Sequence, residues 1–360
     1  MPIFKMLGYE RSLQNEDEDK GPDVMRVAVV GVGAIGGWMA YKMAKAGLEV
    51  SALARGATLV ALREHGVRLR RGDEIGSCPI KASDNASALG KQDLVVLAVK
   101  GPALAAAAQA ASALLGPNTI VLPAMNGVPW WFFEGLPGPF SGRRLATVDP
   151  SGQIEVSLPA HHVIGCVVHA ACTTSEPGVI VQRAGNGLIV GEPSGRGSDR
   201  LDHVTEVLRN SGFDVEVSSR IQQAIWYKLW GNMTMNPTSA ITGATTDRIL
   251  DDPLVRAFIL RVMAEAAQIG DKIGCPIAES GEDRNAVTRK LGAFKTSMLQ
   301  DVEAGRPVEL DVLLSAPREI AQWLGIETPA MDSLLGLARL FARSRGLYPE
   351  QGKNISAVLS

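Results

Sequence analysis

The chain lacks a surplus of charge of either sign: 36 Lys and Arg stand against 38 Asp and Glu in 360 residues, a formal net charge of −2. A surface built to neutralise phosphate backbones would show a basic excess or stripe, so nucleic acid is not an expected partner. Cysteine pairs are also missing. Cys78, Cys166, Cys172 and Cys275 form no C-x-x-C and sit in no small disulfide-dense scaffold, so free thiols in a reducing cytoplasm are expected. The five histidines include the neighbours His161 and His162 but make no H-E-x-x-H or other metal spacing, and no metal is expected. No long hydrophobic run occurs. The uncharged stretch from Gly101 to Phe133 is interrupted by Pro102, Gln109, Gly116, Pro117, Asn118, Pro123, Asn126 and Pro129. It falls short of the roughly 20 continuous apolar residues of a membrane span, so no membrane is expected as a partner. Met1 to Pro22 carries the polar run Gln14 to Lys20 where a secretory signal would have an apolar core. Residues 1–24 therefore read as a mobile N-terminal extension or a start-site artefact. No fixed-period repeat is visible, which disfavours a solenoid.

What is present is globular. The chain is 46% hydrophobic and 21% charged, enough for packed cores, and its length suggests about two domains. Met25 to Val30 is a β-branched run, followed at once by Gly31-Val32-Gly33-Ala34-Ile35-Gly36-Gly37, a helix-forming stretch to Ala46, the stop Gly47 and a second apolar run from Leu48. Strand, glycine turn, helix and strand in about 30 residues make a βαβ unit and imply a parallel sheet. Leu94 to Val99 and Thr119 to Leu122 read as further buried strands, separated by an Ala-rich helix. From about Leu145 the short β-rich pieces Val163 to Ala171, Gly178 to Val181 and Gly187 to Val190 read as antiparallel additions to the same sheet. Leu201 to Asn210 is then an expected helix and Phe213 to Val217 a last strand. Beyond Ser218, helical periodicity marks Ile221 to Met235, Leu254 to Ile273, Asn285 to Leu299, Val312 to Leu324 and Met331 to Arg345. The expected fold is α/β: a Rossmann-type doubly wound domain over 25–217 and a helical domain over 218–360.

A G-x-G-x-x-G that follows a strand and opens a helix has the context of a dinucleotide site. Gly31 allows the tight turn, Gly33 the approach of a pyrophosphate, and Gly36 close helix–strand packing. The residues Gly31, Val32, Gly33, Ala34, Ile35 and Gly36 are thus the expected cofactor ledge, at a helix N-terminus that favours anions. The end of the second strand, Ser51 to Arg55, carries no acid for a ribose hydroxyl. Arg55 could instead take a 2′-phosphate through its fork of donors, which favours NADP over NAD. Lys100, ending the next strand, faces the same cleft. Asn126-Gly127 after the following strand is equally a turn or a site feature.

In the helical half, Lys228, Asn232 and Asn236 recur at i, i+4, i+8 and drift only about 40° per step, so they share one stripe. Trp226, Leu229, Trp230, Met233 and Met235 surround it. A lysine in that setting is expected to be desolvated, with a lowered pKa suited to proton transfer. Pro237 disfavours helical geometry at Asn236, which would put that residue at the helix end. A second polar cluster runs from Ser297 to Asp311; nothing local places its Glu309 beside Lys228.

G-V-G-A-I-G-G at Gly31, V-K at Val99, N-G at Asn126, K-L-W-G-N-M-T-M-N-P at Lys228 and S-M-L-Q-D-V-E-A-G-R-P-V-E-L-D at Ser297 resemble, in order, the ketopantoate reductase family. The resemblance runs from about Met25 to the late 330s. It implies a C-terminal domain resembling that of 6-phosphogluconate dehydrogenases, and NADPH-dependent reduction of a 2-keto acid to a 2-hydroxy acid in pantothenate biosynthesis. By the resemblance, Lys228 is the general acid and Glu309 binds the substrate hydroxyl and helps to hold the Lys ammonium. Asn126, Asn232, Asn236 and Ser297 orient substrate, and Arg55, Lys100 and Asn126 hold cofactor. A homodimer is a further expectation. The chain departs from the family at Met125, at Phe294 and Lys295, and in the aromatic segment Trp130-Trp131-Phe132-Phe133. That segment either lines a roomier apolar pocket, admitting a bulkier 2-keto acid, or anchors an interface as core. A dinucleotide sensor without catalysis, or an opine- or hydroxyacid-type dehydrogenase, stands as an alternative. The first has no need of the Lys228/Glu309 pair, and the second would use a catalytic His that no motif here supplies.

Overall fold

The β-branched run pairs as a central strand, β1 (Arg26–Val30), with α1 (Ala34–Lys45) and β2 (Glu49–Leu53) completing the βαβ unit in the computed structural model, which describes residues 24–350. The N-terminal extension, Val24 apart, lies outside the described residues. The chain continues through α2 (Gly56–His65), β3 (Val67–Arg71), β4 (Glu74–Cys78), β5 (Lys81–Ser83), β6 (Gln92–Leu97), α3 (Leu104–Ala111), β7 (Leu115–Pro123) and α4 (Gln153–Ser157). Then come β8 (Gly165–Glu176), β9 (Val179–Gly191), α5 (Asp199–Asn210) and β10 (Asp214–Val217). The first sheet has the order β5-β2-β1-β6-β7, with every strand parallel. Chain order reverses between β1 and β6, and the crevice outside the carboxyl ends of strands at such a switch point is where doubly wound sheets bind ligands.

The β-rich pieces after Leu145 do not extend that sheet. They form a second one, β10-β9-β3-β4 with β8 antiparallel on β9, and the pieces at Gly178 and Gly187 are one strand. The cause lies in α1. Trp38, Met39, Ala40, Tyr41 and Met43 are buried on all sides of this helix, and an all-round apolar helix needs cover on both faces. The first sheet covers one face. The second covers the other, so closely that a Cβ on Gly37 would come 2.3 Å from the Ile180 side chain.

The remainder is helical: α6 (Ile221–Thr242), α7 (Thr246–Asp251), α8 (Pro253–Lys272), α9 (Gly281–Arg289), α10 (Ser297–Glu303), a π-helical turn (Asp311–Ser315), α11 (Ala316–Leu324) and α12 (Pro329–Arg343). Two expectations need correction. α6 does not stop before Pro237 but continues to Thr242, and Asn236 lies within it, 6% exposed. An interior proline costs about 3 kcal/mol, which burial of nearly every residue from Leu229 to Ala240 offsets. The stretch 285–299 is not one helix: a loop containing Gly292 at φ +65° separates α9 from α10. One hydrophobic core joins the outer face of the first sheet to the helices, through Val30, Leu97, Val121, Phe132, Trp226 and Met233.

Candidate active site

The glycine turn leaves β1 at Gly31, whose φ of +90° only glycine adopts freely and where a Cβ would meet Val99 at 2.6 Å. A Cβ on Gly36 would stand 2.1 Å from the Gly31 carbonyl oxygen, whereas one on Gly33 would meet nothing within 4 Å. Gly33 caps α1 with no side chain on its first N–H groups. Val32 turns into the core at 7% exposure, so only its backbone is available to a ligand. A bare ledge at a helix N-terminus fits a dinucleotide pyrophosphate. Arg55 caps α2 just beyond β2, exposed and beside this ledge because Leu53 is in register with Val30.

At the carboxyl end of β6, Lys100 forms an ion pair with Asp301, and the Gly101 N–H donates to Glu309 Oε1 at 3.0 Å. Asp301 also takes Arg306 Nε at 3.0 Å. The end of the sheet is thereby tied to the Ser297–Asp311 motif. At the end of β7, Gly127 (φ +80°) lies against the π-helical turn, where a Cβ would approach the Val312 carbonyl to 2.6 Å, and Val128 N donates to that carbonyl at 2.9 Å. Asn126-Gly127 is thus a junction with the helical half rather than a free turn. The Asn126 carboxamide has no hydrogen-bond partner among the described residues.

Lys228 comes to the same place from α6. Its Nζ donates to the Val168 carbonyl at 2.7 Å, and burial lowers its pKa from 10.5 to about 8, against the opposing influence of Cys166 and Glu309. Glu309 is 9% exposed. Burial pushes its carboxyl up, while the Gly101 amide, Lys100 and Lys228 pull it down and Asp301 adds to the rise. The two groups influence each other but form no direct ion pair, so neither neutralises the other. Asn232 and Asn236 share the Lys228 stripe, and neither carboxamide has a partner among the described residues. Ser297 is exposed at the start of α10, behind the cap Thr296, and α10 packs against α6, the helix that carries Lys228.

The four residues Trp130, Trp131, Phe132 and Phe133 are 4%, 1%, 0% and 2% exposed. Phe132 meets Trp226 at 6.0 Å and Phe133 meets Trp323 at 5.4 Å, so the segment packs the helical half onto the sheet. The cavity that Trp130 and Trp131 line with Met125, Asn126, Cys166 and Ile225 is about 20 Å³, room for one water and not a wide pocket. Cys166 and Asp301 are site neighbours that sequence reasoning gave no role. Asp301 stood inside a quoted motif, but its 3% exposure carried no local signal; Cys166 lies on a strand that only the second sheet positions.

Comparison with known proteins identifies the family. The family described as Ketopantoate reductase PanE/ApbA matches residues 27–195, and its C-terminal counterpart matches 220–342. The 2-dehydropantoate 2-reductase of Mesorhizobium japonicum is 41% identical over 90% of this chain and 100% of its own length. A solved structure of a candidate ketopantoate reductase from Ralstonia solanacearum MolK2 is 54% identical, covers 90% of this chain and 100% of that one, and superposes with a TM-score of 0.87. D-mandelate dehydrogenase, solved with NADH and anilino(oxo)acetate, shares the fold at 19% identity and a TM-score of 0.76, covering 90% of this chain and 100% of its own. With both halves matched by its models and a close relative aligned end to end, the chain belongs to the ketopantoate reductase family.

Proposed function

We propose that this protein reduces 2-dehydropantoate (ketopantoate) to pantoate with NADPH, a step of pantothenate biosynthesis. The observation that carries the reading is Lys228: a part-buried ammonium anchored on Val168, with a pKa brought to about 8, at the carboxyl edge of a sheet with a bare dinucleotide ledge. NADPH supplies the hydride. Lys228 Nζ donates the proton to the keto oxygen as negative charge builds there, and its cation stabilises that charge. Glu309 accepts from the substrate hydroxyl and adds negative charge that keeps Lys228 protonated. The free carboxamides of Asn126, Asn232 and Asn236, with Ser297, orient the substrate, and Arg55 and Lys100 take the cofactor's phosphates. Residues 25–217 hold cofactor and 218–360 supply catalysis. No described helix is long and apolar enough to cross a membrane.

Following NADPH oxidation against a panel of 2-keto acids tests this. Ketopantoate is expected to give the highest kcat/KM, and a protein that turns over none of them is not this reductase. NADH bound as tightly as NADPH would remove the part given to Arg55. Lys228→Ala is expected to cut kcat by on the order of 10²–10⁴. In the unaltered protein, kcat for reduction falls as pH rises through about 8, where Lys228 gives up its proton.

A further inference from the structure

Arg284, on α9, reaches the catalytic helix with no acid among the described residues to pair with. A Cβ on Gly231 of α6 would come 2.5 Å from its Nη2 and 2.9 Å from its Cζ, so the missing side chain is what admits the guanidinium. It therefore lies on the α6 backbone one residue before Asn232 and three after Lys228. Its Cζ stands 5.5 Å from the centre of the Tyr227 ring, and Nη1 donates to Thr288 Oγ1 at 3.2 Å. Nε is buried and has no partner among the described residues, and no described carboxylate forms an ion pair with the group. Glu279 accepts from the Tyr227 hydroxyl at 2.8 Å and forms no ion pair with Arg284. His169, next to the Val168 that anchors Lys228, feels both cations: burial first, then Lys228 and Arg284, hold its pKa below the ordinary value.

A 2-keto acid brings two oxygen functions to the site, a keto group and an adjacent carboxylate. The roles given above place one cation, Lys228, at the keto oxygen, the Glu309 carboxylate at the hydroxyl and neutral carboxamides and Ser297 around the rest, so no second cation meets the substrate carboxylate. We propose that Arg284 binds the substrate carboxylate, its rigid fork fixing the acid while Lys228 meets the keto oxygen. A planar guanidinium matches a carboxylate in two parallel hydrogen bonds, and packing on Tyr227 and α6 holds it ready. This inference rests on the reductase reading.

The test compares the wild type, Arg284→Gln and Arg284→Lys on a 2-keto acid and on its methyl ester. The Gln variant is expected to raise KM for the acid about 10- to 100-fold with kcat little changed, and to abolish the preference for acid over ester. The Lys variant restores part of that preference because it keeps the charge without the fork. NADPH affinity, read by fluorescence titration, stays as in the wild type. Unchanged KM, equal losses on acid and ester, or weakened NADPH binding would each overturn the proposal. Should Arg284→Gln not fold, Arg284→Lys decides alone: wild-type KM and acid preference would sink the idea, and a raised KM with reduced preference would support it. A wild type inactive on every 2-keto acid removes the reductase reading and this inference with it, whereas an active wild type with indifferent variants removes only Arg284.

Discussion

Single residues of one type do different work at the glycine turn. Gly36 is fixed by packing, since its Cβ would stand 2.1 Å from a backbone oxygen that cannot move without the strand, whereas Gly33 faces open space. Gly36→Ala is therefore expected to destabilise the fold by about 1–3 kcal/mol. Gly33→Ala should melt as the wild type does but lose dinucleotide affinity, because the added methyl stands where the pyrophosphate approaches. Thermal melting with a parallel NADPH titration separates the two; equal behaviour in both assays would contradict the assignment. This turn was legible in the sequence because a tight turn, a bare ledge and a close approach are properties of neighbouring residues. The lowered pKa of Lys228 was legible only in kind: its apolar neighbours announced desolvation, but its anchor Val168 and its distant partner Glu309 lie 60 and 81 positions away.

Among elements, helices were read well in their middles and badly at their ends. The apolar repeat identifies α6 and α8, yet Pro237 is an ordinary stop signal that the surrounding packing overrides. The hairpin β3–β4 and the short β5 were not read at all: β3 alternates over only Val67 to Arg70, and β4 has no buried residue. Helix ends are also secured by residues remote in sequence. Glu265 of α8 accepts from the N–H groups of Ala330 and Met331, both at 2.8 Å, and so caps α12 across the helical half with a charge at its positive dipole end. Glu265→Ala is expected to cost about 1–2 kcal/mol in urea denaturation. No loss of stability would mean that α12 is held by packing alone.

Across the whole molecule, the second sheet is what makes α1 an interior helix, and Lys42 pins the two together. Its ammonium donates to Asn186 Oδ1 and the Gly212 carbonyl and lies 4.5 Å from the centre of the Phe213 ring. Burial, with Arg71 adding and Asp214 and Cys172 opposing, lowers its pKa from 10.5 to about 8. Between those values the unfolded chain binds a proton at Lys42 that the folded protein does not. Stability from this group therefore grows as pH rises across the window and is lost as pH falls through about 8. Urea midpoints for the wild type and Lys42→Met should shift in the wild type's favour between neutral pH and about pH 10, and a constant difference would refute the linkage. The sequence alone determined the βαβ unit, the glycine ledge, the helical second half and the Lys228–Asn232–Asn236 stripe, since each rests on periodicity or on residues a few positions apart. Only the tertiary structure decided that the late strands form their own sheet, that Asn126-Gly127 docks on Val312, and that Lys100 and Gly101 meet Asp301 and Glu309. These depend on which surfaces remain uncovered once α1 is buried, and on polar groups brought together from positions about 200 residues apart.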